Sequence, residues 1–165
     1  MPSLIKELDP VEAVFSRTDS LAEVVENLIR SATFSVHAAV YRFNSQRIAR
    51  ALGGAHRKGT KVRLVIDKSR YGGSQAAQKL LAKAAYPFRL ALGRGGKTSK
   101  MHHKFVVVDE CVVLTGSYNW TYASEEKNYE SLLILTEPVL IEAHLREFHE
   151  LWADGAEPPL PANAR

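Results

Sequence analysis

The stretch His102–Asn119 constrains the fold more than any other part of this 165-residue chain. It reads HHKFVVVDECVVLTGSYN, in which two runs of strand-forming residues are separated by an acidic pair that begins at Asp109. This pattern predicts two short buried strands joined by a tight turn. Because side chains alternate along a strand, His102 and Lys104 are expected on one face, with His103 and Asp109 on the other.

The end of the second predicted strand brings further polar groups to the same place. Ser117 and Asn119 follow Gly116 and can share a face. A histidine that acts as nucleophile or base, a fixed cation and two small hydrogen-bonding side chains together suit a phosphate group. The hairpin therefore predicts a phosphate site formed by His102, Lys104, Ser117 and Asn119.

Predicted strands and helices alternate through the first half of the chain. This order predicts an α/β fold, with a mixed, largely parallel open sheet that carries helices on both faces. A single domain is expected over residues 1–153, followed by a flexible tail over 154–165. Strands are predicted over 11–15, 34–41, 62–66, 88–92 and 130–135, helix caps at Ser20, at Asn44 or Ser45 and at Ser74, a loop at 71–73, a loop or short helix at 120–127, and a last helix from Pro138.

Cations cluster in the segments that follow the predicted parallel strands. In open sheets of this kind, ligands bind beyond the carboxyl ends of those strands, so a cationic rim is predicted around the phosphate site. Scattered, solvated cations remain the alternative, since a net charge of +4 favours anionic partners without identifying them. The candidate substrate-binding residues are Arg42, Lys68, Arg70, Arg94, Lys97 and Lys100.

Cysteine usage and the start of the chain bear on compartment and cofactors. The single cysteine, Cys111, cannot form an internal disulfide and is expected to pack in the core. No signal peptide or membrane-spanning run is predicted, which favours a cytoplasmic protein without stable membrane association, or a periplasmic or exported one if a signal peptide has been removed. His102 and His103 diverge as strand neighbours, so no metal site and no cofactor are expected.

The spacing of the hairpin residues matches a known motif. The chain resembles the phospholipase D superfamily over roughly residues 10–153, and with one motif in a short chain it is most similar to the small bacterial endonucleases of that superfamily. Tyr41-Arg42-Phe43 and Asn128-Tyr129-Glu130 resemble it as well. The superfamily's H-x-K-x4-D-x6-G-S-x-N motif is reproduced by His102, Lys104, Asp109, Gly116, Ser117 and Asn119.

The resemblance implies metal-independent phosphodiester hydrolysis through a phosphohistidine. A neutral imidazole attacks phosphorus, and a second, protonated histidine supplies the leaving group's proton and later activates water. Since this chain carries one motif, the second histidine is expected to be His102 of the partner subunit in a two-fold homodimer. Lys104 and Asn119 are implied to bind phosphate oxygens with help from Ser117, and Glu130 is implied to orient His102 through its other ring nitrogen.

For several residues in or near the motif, a structural role is an alternative to a functional one. Asp109 belongs to the motif and is therefore counted with the site, but strand alternation turns it away, so it is expected to stabilise the turn or an interface. His103, which also faces away, is expected to be an ordinary surface or core residue. Tyr118, Trp120 and Tyr122 could stack on bases or pack in the core or the wall of the site, and the sequence leaves both roles open.

Three functions compete on this evidence. The favoured one is a nonspecific endonuclease that recognises the backbone of DNA, and of RNA as a further candidate, and that weakens with salt. The second is a phospholipase D-type phospholipid hydrolase, although no amphipathic anchor is apparent. The third is a catalytically silent nucleic-acid-binding dimer, which would have no need of the intact histidine, lysine, asparagine and glutamate set.

Overall fold

A seven-stranded mixed sheet forms the centre of the protein, whose computed structural model describes residues 11–159. In space the strands lie in the order β1-β7-β6-β5-β2-β3-β4. The predicted mixed open sheet is confirmed, but parallel pairing is confined to β2, β3 and β4, because β5, β6, β7 and β1 pair antiparallel with their neighbours. The strands are β1 (Val11–Phe15), β2 (Ser35–Val40), β3 (Lys61–Asp67), β4 (Phe88–Ala91), β5 (Lys104–Val108), β6 (Val112–Gly116) and β7 (Ser131–Leu135).

Side-chain caps start most of the helices, as the sequence predicts. Ser20, Ser45 and Ser74 each accept a hydrogen bond from a backbone N–H in the first turn. The loop predicted at 71–73 is wrong in part, because Asp67 caps a short helix that runs into it. The helices are α1 (Leu21–Ser31), α2 (Gln46–Arg57), α3 (Lys68–Gly72), α4 (Gln75–Leu81), α5 (Tyr122–Glu126) and α6 (Pro138–Asp154).

Two apolar cores lie on the two faces of the sheet. Alternate residues of the central strands point to opposite faces, so each strand contributes to both. On β5, Val106 packs with α1, α2 and α4, while Phe105 and Val107 pack with Ile141 and Phe148 of α6. Helices on both faces are therefore confirmed, and the two-sided burial explains why the inner strands are almost continuously apolar.

The antiparallel hairpin returns to the sheet edge at which the parallel strands end. We call that edge, where β2, β3 and β4 stop at Val40, Asp67 and Ala91, the carboxyl edge, and the opposite one the amino edge. Since β5 pairs antiparallel with β2, Lys104 lies opposite Val40 and β5 starts at the carboxyl edge. β6 ends at this edge and β7 begins there. The residues just before β5, after β6 and before β7 therefore meet.

The chain beyond α6 returns to the sheet. Ala156 exchanges two backbone hydrogen bonds with Leu90 of β4, of 2.8 and 2.9 Å, so the tail predicted from residue 154 is attached to the sheet at its start. Residues 1–10 and 160–165, where the predicted domain begins and the predicted tail ends, lie outside the described residues. Within 11–159, no helix combines the length and apolar character needed to cross a membrane.

Candidate active site

The hairpin turn separates the motif residues into two groups. Asp109 and Glu110 adopt left-handed backbone, with φ of 51° and 55°, which closes β5 onto β6 within three residues. The strand from Lys104 to Asp109 spans about 17 Å at its usual rise per residue. Lys104 therefore lies at the carboxyl edge and Asp109 at the amino edge.

His102 and Lys104 share one face of the sheet, as predicted. Lys104 Nζ lies 3.2 Å from His102 Nδ1 and 3.5 Å from Nε2, and it donates a 2.8 Å hydrogen bond to the His102 carbonyl. His103 turns to the other face, where its Nε2 lies 3.0 Å from a carboxylate oxygen of Glu147 on α6. The arrangement places a fixed ammonium beside one imidazole and leaves that imidazole exposed.

The ring of Tyr41, just beyond β2, packs against His102. The two ring centroids are 4.2 Å apart, and Lys104 Nζ lies 5.1 Å from the tyrosine centroid. Arg70 approaches the same ring at 4.9 Å and donates its Nε–H to the Tyr41 hydroxyl. Tyr41 was not among the predicted site residues. The available signal was its place in the Tyr41–Phe43 segment that resembles the superfamily.

Desolvation and neighbouring cations favour the neutral form of His102. Desolvation, followed by the charge of Lys104, lowers the pKa of His102, while the carboxylate of Asp67 acts in the opposite direction. Desolvation also lowers the pKa of Lys104, although the charge of Glu130 opposes that change. A neutral imidazole has a free lone pair, which is the form that can attack phosphorus.

Glu130 has other partners than the predicted one. Ser117 Oγ donates to Glu130 Oε2, and Asn128 Nδ2 donates to Oε1 at 3.2 Å. Ser117 also accepts a 3.1 Å bond from the backbone of Ser131. Within the described residues of one chain the Glu130 carboxylate is therefore bound by Ser117, which follows β6, and by Asn128, since β6 separates β5 from β7. The orientation of His102 by Glu130 stays a prediction.

Asn119 carries a polar atom without an internal partner. Its Oδ1 is buried and finds no hydrogen-bond partner among residues 11–159. The oxygen and nitrogen of a side-chain amide are assigned from their partners, so either end can face this position. With the amide nitrogen there, Asn119 would donate to a phosphate oxygen, which fits its predicted role.

Asp109 is fully engaged at the amino edge. Its carboxylate accepts hydrogen bonds from the backbone N–H groups of Thr33, Phe34 and Ser35, at 2.8 to 3.1 Å, and from the Thr33 hydroxyl at 3.0 Å. Desolvation raises the pKa of Asp109, but these hydrogen bonds outweigh it and bring the pKa below its usual value. Although it belongs to the motif, Asp109 does not join the phosphate site; it ties the hairpin turn to the start of β2.

Asp67 is a second carboxylate that the sequence pattern did not single out. It ends β3, is completely buried, and accepts bonds from Ser69 Oγ at 2.6 Å and from the N–H of Arg70 at 2.9 Å. Its other oxygen accepts a 2.9 Å bond from the N–H of Met101, which directly precedes His102. The signal in the sequence was an acidic residue directly after the apolar run of residues 64–66.

The predicted cationic rim is present in part. Arg70 reaches Tyr41, and Lys100 Nζ donates a 2.9 Å hydrogen bond to Ser69. Arg42 lines a pocket of about 170 Å³ together with Tyr41 and Arg70. The other three candidates are exposed, and within the described part of the chain they have no hydrogen bond to the site: Lys68, Arg94 and Lys97.

The aromatic residues after the motif divide between core and surface. Tyr118 and Trp120 are buried, so they pack as walls, whereas Tyr122 is 65% exposed. Base stacking therefore stays open for Tyr122 alone of the three residues for which it was considered. Across residues 11–159, no group of three or more histidine, cysteine, aspartate or glutamate side chains is arranged to hold a metal ion.

The chain is similar in sequence to known proteins. The family described as "Cardiolipin synthase, PLD-like domain" matches residues 25–152. The mitochondrial cardiolipin hydrolase of Xenopus tropicalis is 34% identical over 137 residues, which cover 83% of this chain and 63% of that protein. A phospholipase D of Rickettsia felis is 26% identical over 138 residues, or 84% of this chain and 67% of that protein. The chain thus spans about two thirds of the length of these curated relatives.

Two solved structures share the fold over nearly their whole length. Nuc of Salmonella typhimurium, described as a phospholipase D family member, superposes with a TM-score of 0.80 at 30% identity, covering 90% of this chain and 97% of that one. NucT of Helicobacter pylori also reaches 0.80, at 24% identity, covering 90% and 99% of the two chains. The second likeness supports the fold alone.

Proposed function

We propose that this chain, which belongs to the phospholipase D superfamily, is a phosphodiesterase whose nucleophile is His102. The observation that carries the proposal is the pairing of an exposed imidazole, whose pKa is lowered, with a lysine ammonium 3.2 Å away. The imidazole attacks phosphorus, and the ammonium stabilises the charge that gathers on the nonbridging oxygens. Asn119 would hold another of those oxygens.

The reaction proceeds in two displacements. First, a nitrogen–phosphorus bond forms at His102, the bond from phosphorus to the leaving oxygen breaks, and that oxygen takes a proton from a second imidazolium. The second imidazole, now neutral, removes a proton from water as the water oxygen attacks phosphorus. The nitrogen–phosphorus bond breaks and His102 is restored. Both chemical steps use protein groups alone.

The second imidazole is proposed to come from another copy of the chain. His103 turns toward α6 and contacts Glu147. His37 is buried against Phe148, where desolvation lowers its pKa to about 4, so it is a neutral imidazole at neutral pH and does not supply the imidazolium that the first step needs. These positions support a homodimer in which His102 of the partner subunit is the general acid and base. The remaining histidines lie on α2 and α6: His56, His144 and His149.

Nucleic acid is the proposed substrate. Arg42, Arg70 and Lys100 lie at the carboxyl edge, and such a group of cations suits the successive phosphates of a polynucleotide better than an isolated head group. A nonspecific endonuclease that cleaves DNA, and RNA as a further substrate, follows. A phospholipid hydrolase is the second candidate, favoured by the 34% identity to a cardiolipin hydrolase.

A cleavage panel in excess chelator tests the reaction and the substrate together. We expect hydrolysis of single- and double-stranded DNA and of RNA with EDTA present, and much slower release from cardiolipin or phosphatidylcholine vesicles. Faster lipid hydrolysis would select the second candidate. Activity that disappears in chelator and returns with a divalent ion would contradict the histidine mechanism.

Mixed dimers test the shared site. Wild-type and His102→Ala chains with different affinity tags are co-expressed, and the heterodimer is purified through both tags. A site that needs both histidines predicts a heterodimer almost as inactive as the doubly substituted dimer. Half of the wild-type activity, or a fully active monomer in light scattering, would show that one chain is sufficient.

A further inference from the structure

The buried carboxylate of Asp67 binds the residue that directly precedes the proposed nucleophile. We propose that Asp67 is a positioning residue for His102, holding the imidazole through two routes, one along the backbone and one through Arg70 and Tyr41. This inference rests on the proposed function, in which His102 is the nucleophile. Asp67 touches neither the imidazole nor the phosphate site directly, so its effect is exerted through the groups it holds.

The first route is the loop that carries His102 into β5. Asp67 accepts the N–H of Met101 at 2.9 Å, and the Met101 side chain is buried in the core beneath α6. His102 follows at once, before the sheet pairing of β5 begins at Lys104. The hydrogen bond to Asp67 thus fixes the backbone at the last residue before the nucleophile.

The second route runs through the start of α3. The other oxygen of Asp67 accepts the Arg70 N–H and the Ser69 hydroxyl, which sets where the Arg70 side chain begins. Arg70 in turn donates to the Tyr41 hydroxyl, and the Tyr41 ring packs against His102 at 4.2 Å. Both routes end at His102, one through the backbone of Met101 and the other through the ring of Tyr41.

Asp67 also differs in charge from the other groups that influence His102. Desolvation, and after it the charges of Lys104, Arg70 and His103, lower the pKa of the imidazole, whereas the Asp67 carboxylate raises it. Loss of this carboxylate alone would therefore make His102 more readily neutral and harder to protonate. A residue with a purely structural role elsewhere in the fold would leave the titration of His102 where it is.

Asp67→Asn keeps the shape of the side chain and removes its charge. Asparagine has one acceptor oxygen, so it can satisfy Met101 or the start of α3, but one of the two routes then faces an N–H donor. We expect kcat to fall about 10- to 100-fold because the imidazole is misplaced, with KM within about twofold. The acid limb of the pH–rate profile should move to lower pH.

The matched control is Asp109→Asn at the amino edge. It too removes a charge from a carboxylate that accepts backbone N–H groups, but its partners are Thr33, Phe34 and Ser35. It should lower the melting temperature without changing the imidazole titration of His102. That titration is followed by NMR, with the His102 signal assigned by its absence from His102→Ala.

The inference is overturned if Asp67→Asn titrates like the wild type at His102 and its loss of kcat equals its loss of folded protein. Should Asp67→Asn not fold, Ser69→Ala decides, because it removes a donor to Asp67 and the acceptor of Lys100 at a half-buried site. A fewfold fall in kcat together with a shifted His102 titration, at unchanged melting temperature, supports the inference, and an unchanged His102 titration contradicts it. A wild type without hydrolytic activity would refute the proposed function, while the NMR titration would still decide whether Asp67 acts on His102.

Discussion

Each of the two edges of the sheet has a carboxylate that accepts backbone hydrogen bonds, but the two carboxylates hold different kinds of segment. Asp67 at the carboxyl edge and Asp109 at the amino edge are both carboxylates that bind backbone N–H groups of a neighbouring segment. At the amino edge the bonds of Asp109 join a turn to the start of a strand. At the carboxyl edge the bonds of Asp67 hold a loop whose next residue is an exposed histidine.

The carboxyl edge differs in that some of its polar side-chain atoms are accessible to solvent or have no hydrogen-bond partner within residues 11–159. His102 and Lys104 are accessible to solvent, and Asn119 Oδ1 has no partner within residues 11–159. Three separate segments converge there because the hairpin runs against the parallel strands. The hydrogen-bonded carboxylates thus support the backbone, whereas the groups proposed to react keep free hydrogen-bonding capacity.

The largest effect is expected for the proposed nucleophile. His102→Ala should reduce hydrolysis in chelator by roughly 1,000-fold or more, since no other group can form the covalent intermediate. Affinity for DNA, measured by fluorescence anisotropy, should change little because the cations remain.

His103→Ala is the adjacent control. It removes an exposed contact with Glu147 on the opposite face, and exposed pairs of this kind contribute about 0 to 1 kcal/mol. Its turnover should stay within about twofold of wild type. Equal losses in the two variants would mean that the face assignment does not separate the reactive histidine from its neighbour.

The amino edge should respond in stability instead of rate. Asp109→Ala leaves three backbone N–H groups without their acceptor, and we expect the free energy of unfolding to fall by roughly 2 to 3 kcal/mol. Urea denaturation measures this loss, and kcat per folded molecule should be retained. A fall in kcat beyond the unfolded fraction would break the distinction between the edges.

The same carboxylate should shape stability in acid. Because the pKa of Asp109 is lower in the folded state, its contribution is complete above the pKa of the unfolded chain and is lost as the pH falls through the folded value. The wild type should therefore lose stability over this acidic range, and Asp109→Asn should lose less. Parallel curves for the two proteins would contradict the hydrogen-bonding account.

The pH dependence of kcat/KM should report the protonation of His102 at the carboxyl edge. The nucleophile must be neutral, and its pKa lies below the usual 6.5, so kcat/KM should begin to rise with pH below that value. It should fall again at higher pH because the second histidine must be protonated. The two apparent pKa values belong to the coupled pair. A profile that rises only above pH 7 would contradict the lowered pKa of His102.

The smallest effect is expected from the loop before the hairpin. A double substitution, Arg94→Ala with Lys97→Ala, should weaken DNA binding a fewfold and reduce the slope of log affinity against log salt by about 0.9 for each phosphate that is no longer neutralised. Titrations at several salt concentrations measure this slope. An unchanged slope would restrict the rim to Arg42, Arg70 and Lys100.

Local signals predicted much of the fold. Ser20 caps α1 as the spacing to Glu23 indicated, and the apolar runs became β2, β3 and β5 within one or two residues. The predicted loop at 71–73 was wrong in part. Its glycines indicated a loop, but Asp67, which lies outside that segment, caps α3. The predominance of parallel pairing was wrong because strand order in space is set by long-range contacts.

For the candidate site, the sequence alone determined which residues face which way in the hairpin. Alternation along β5 is a local property of the backbone, so it separates His102 and Lys104 from His103 without knowledge of the fold. Partners that come from distant segments were decided only by the tertiary structure. Because β6 lies between β5 and β7, Glu130 is hydrogen-bonded by Ser117. Because the end of β3 lies next to the loop before β5, Asp67 accepts a hydrogen bond from Met101, 34 residues away in the sequence.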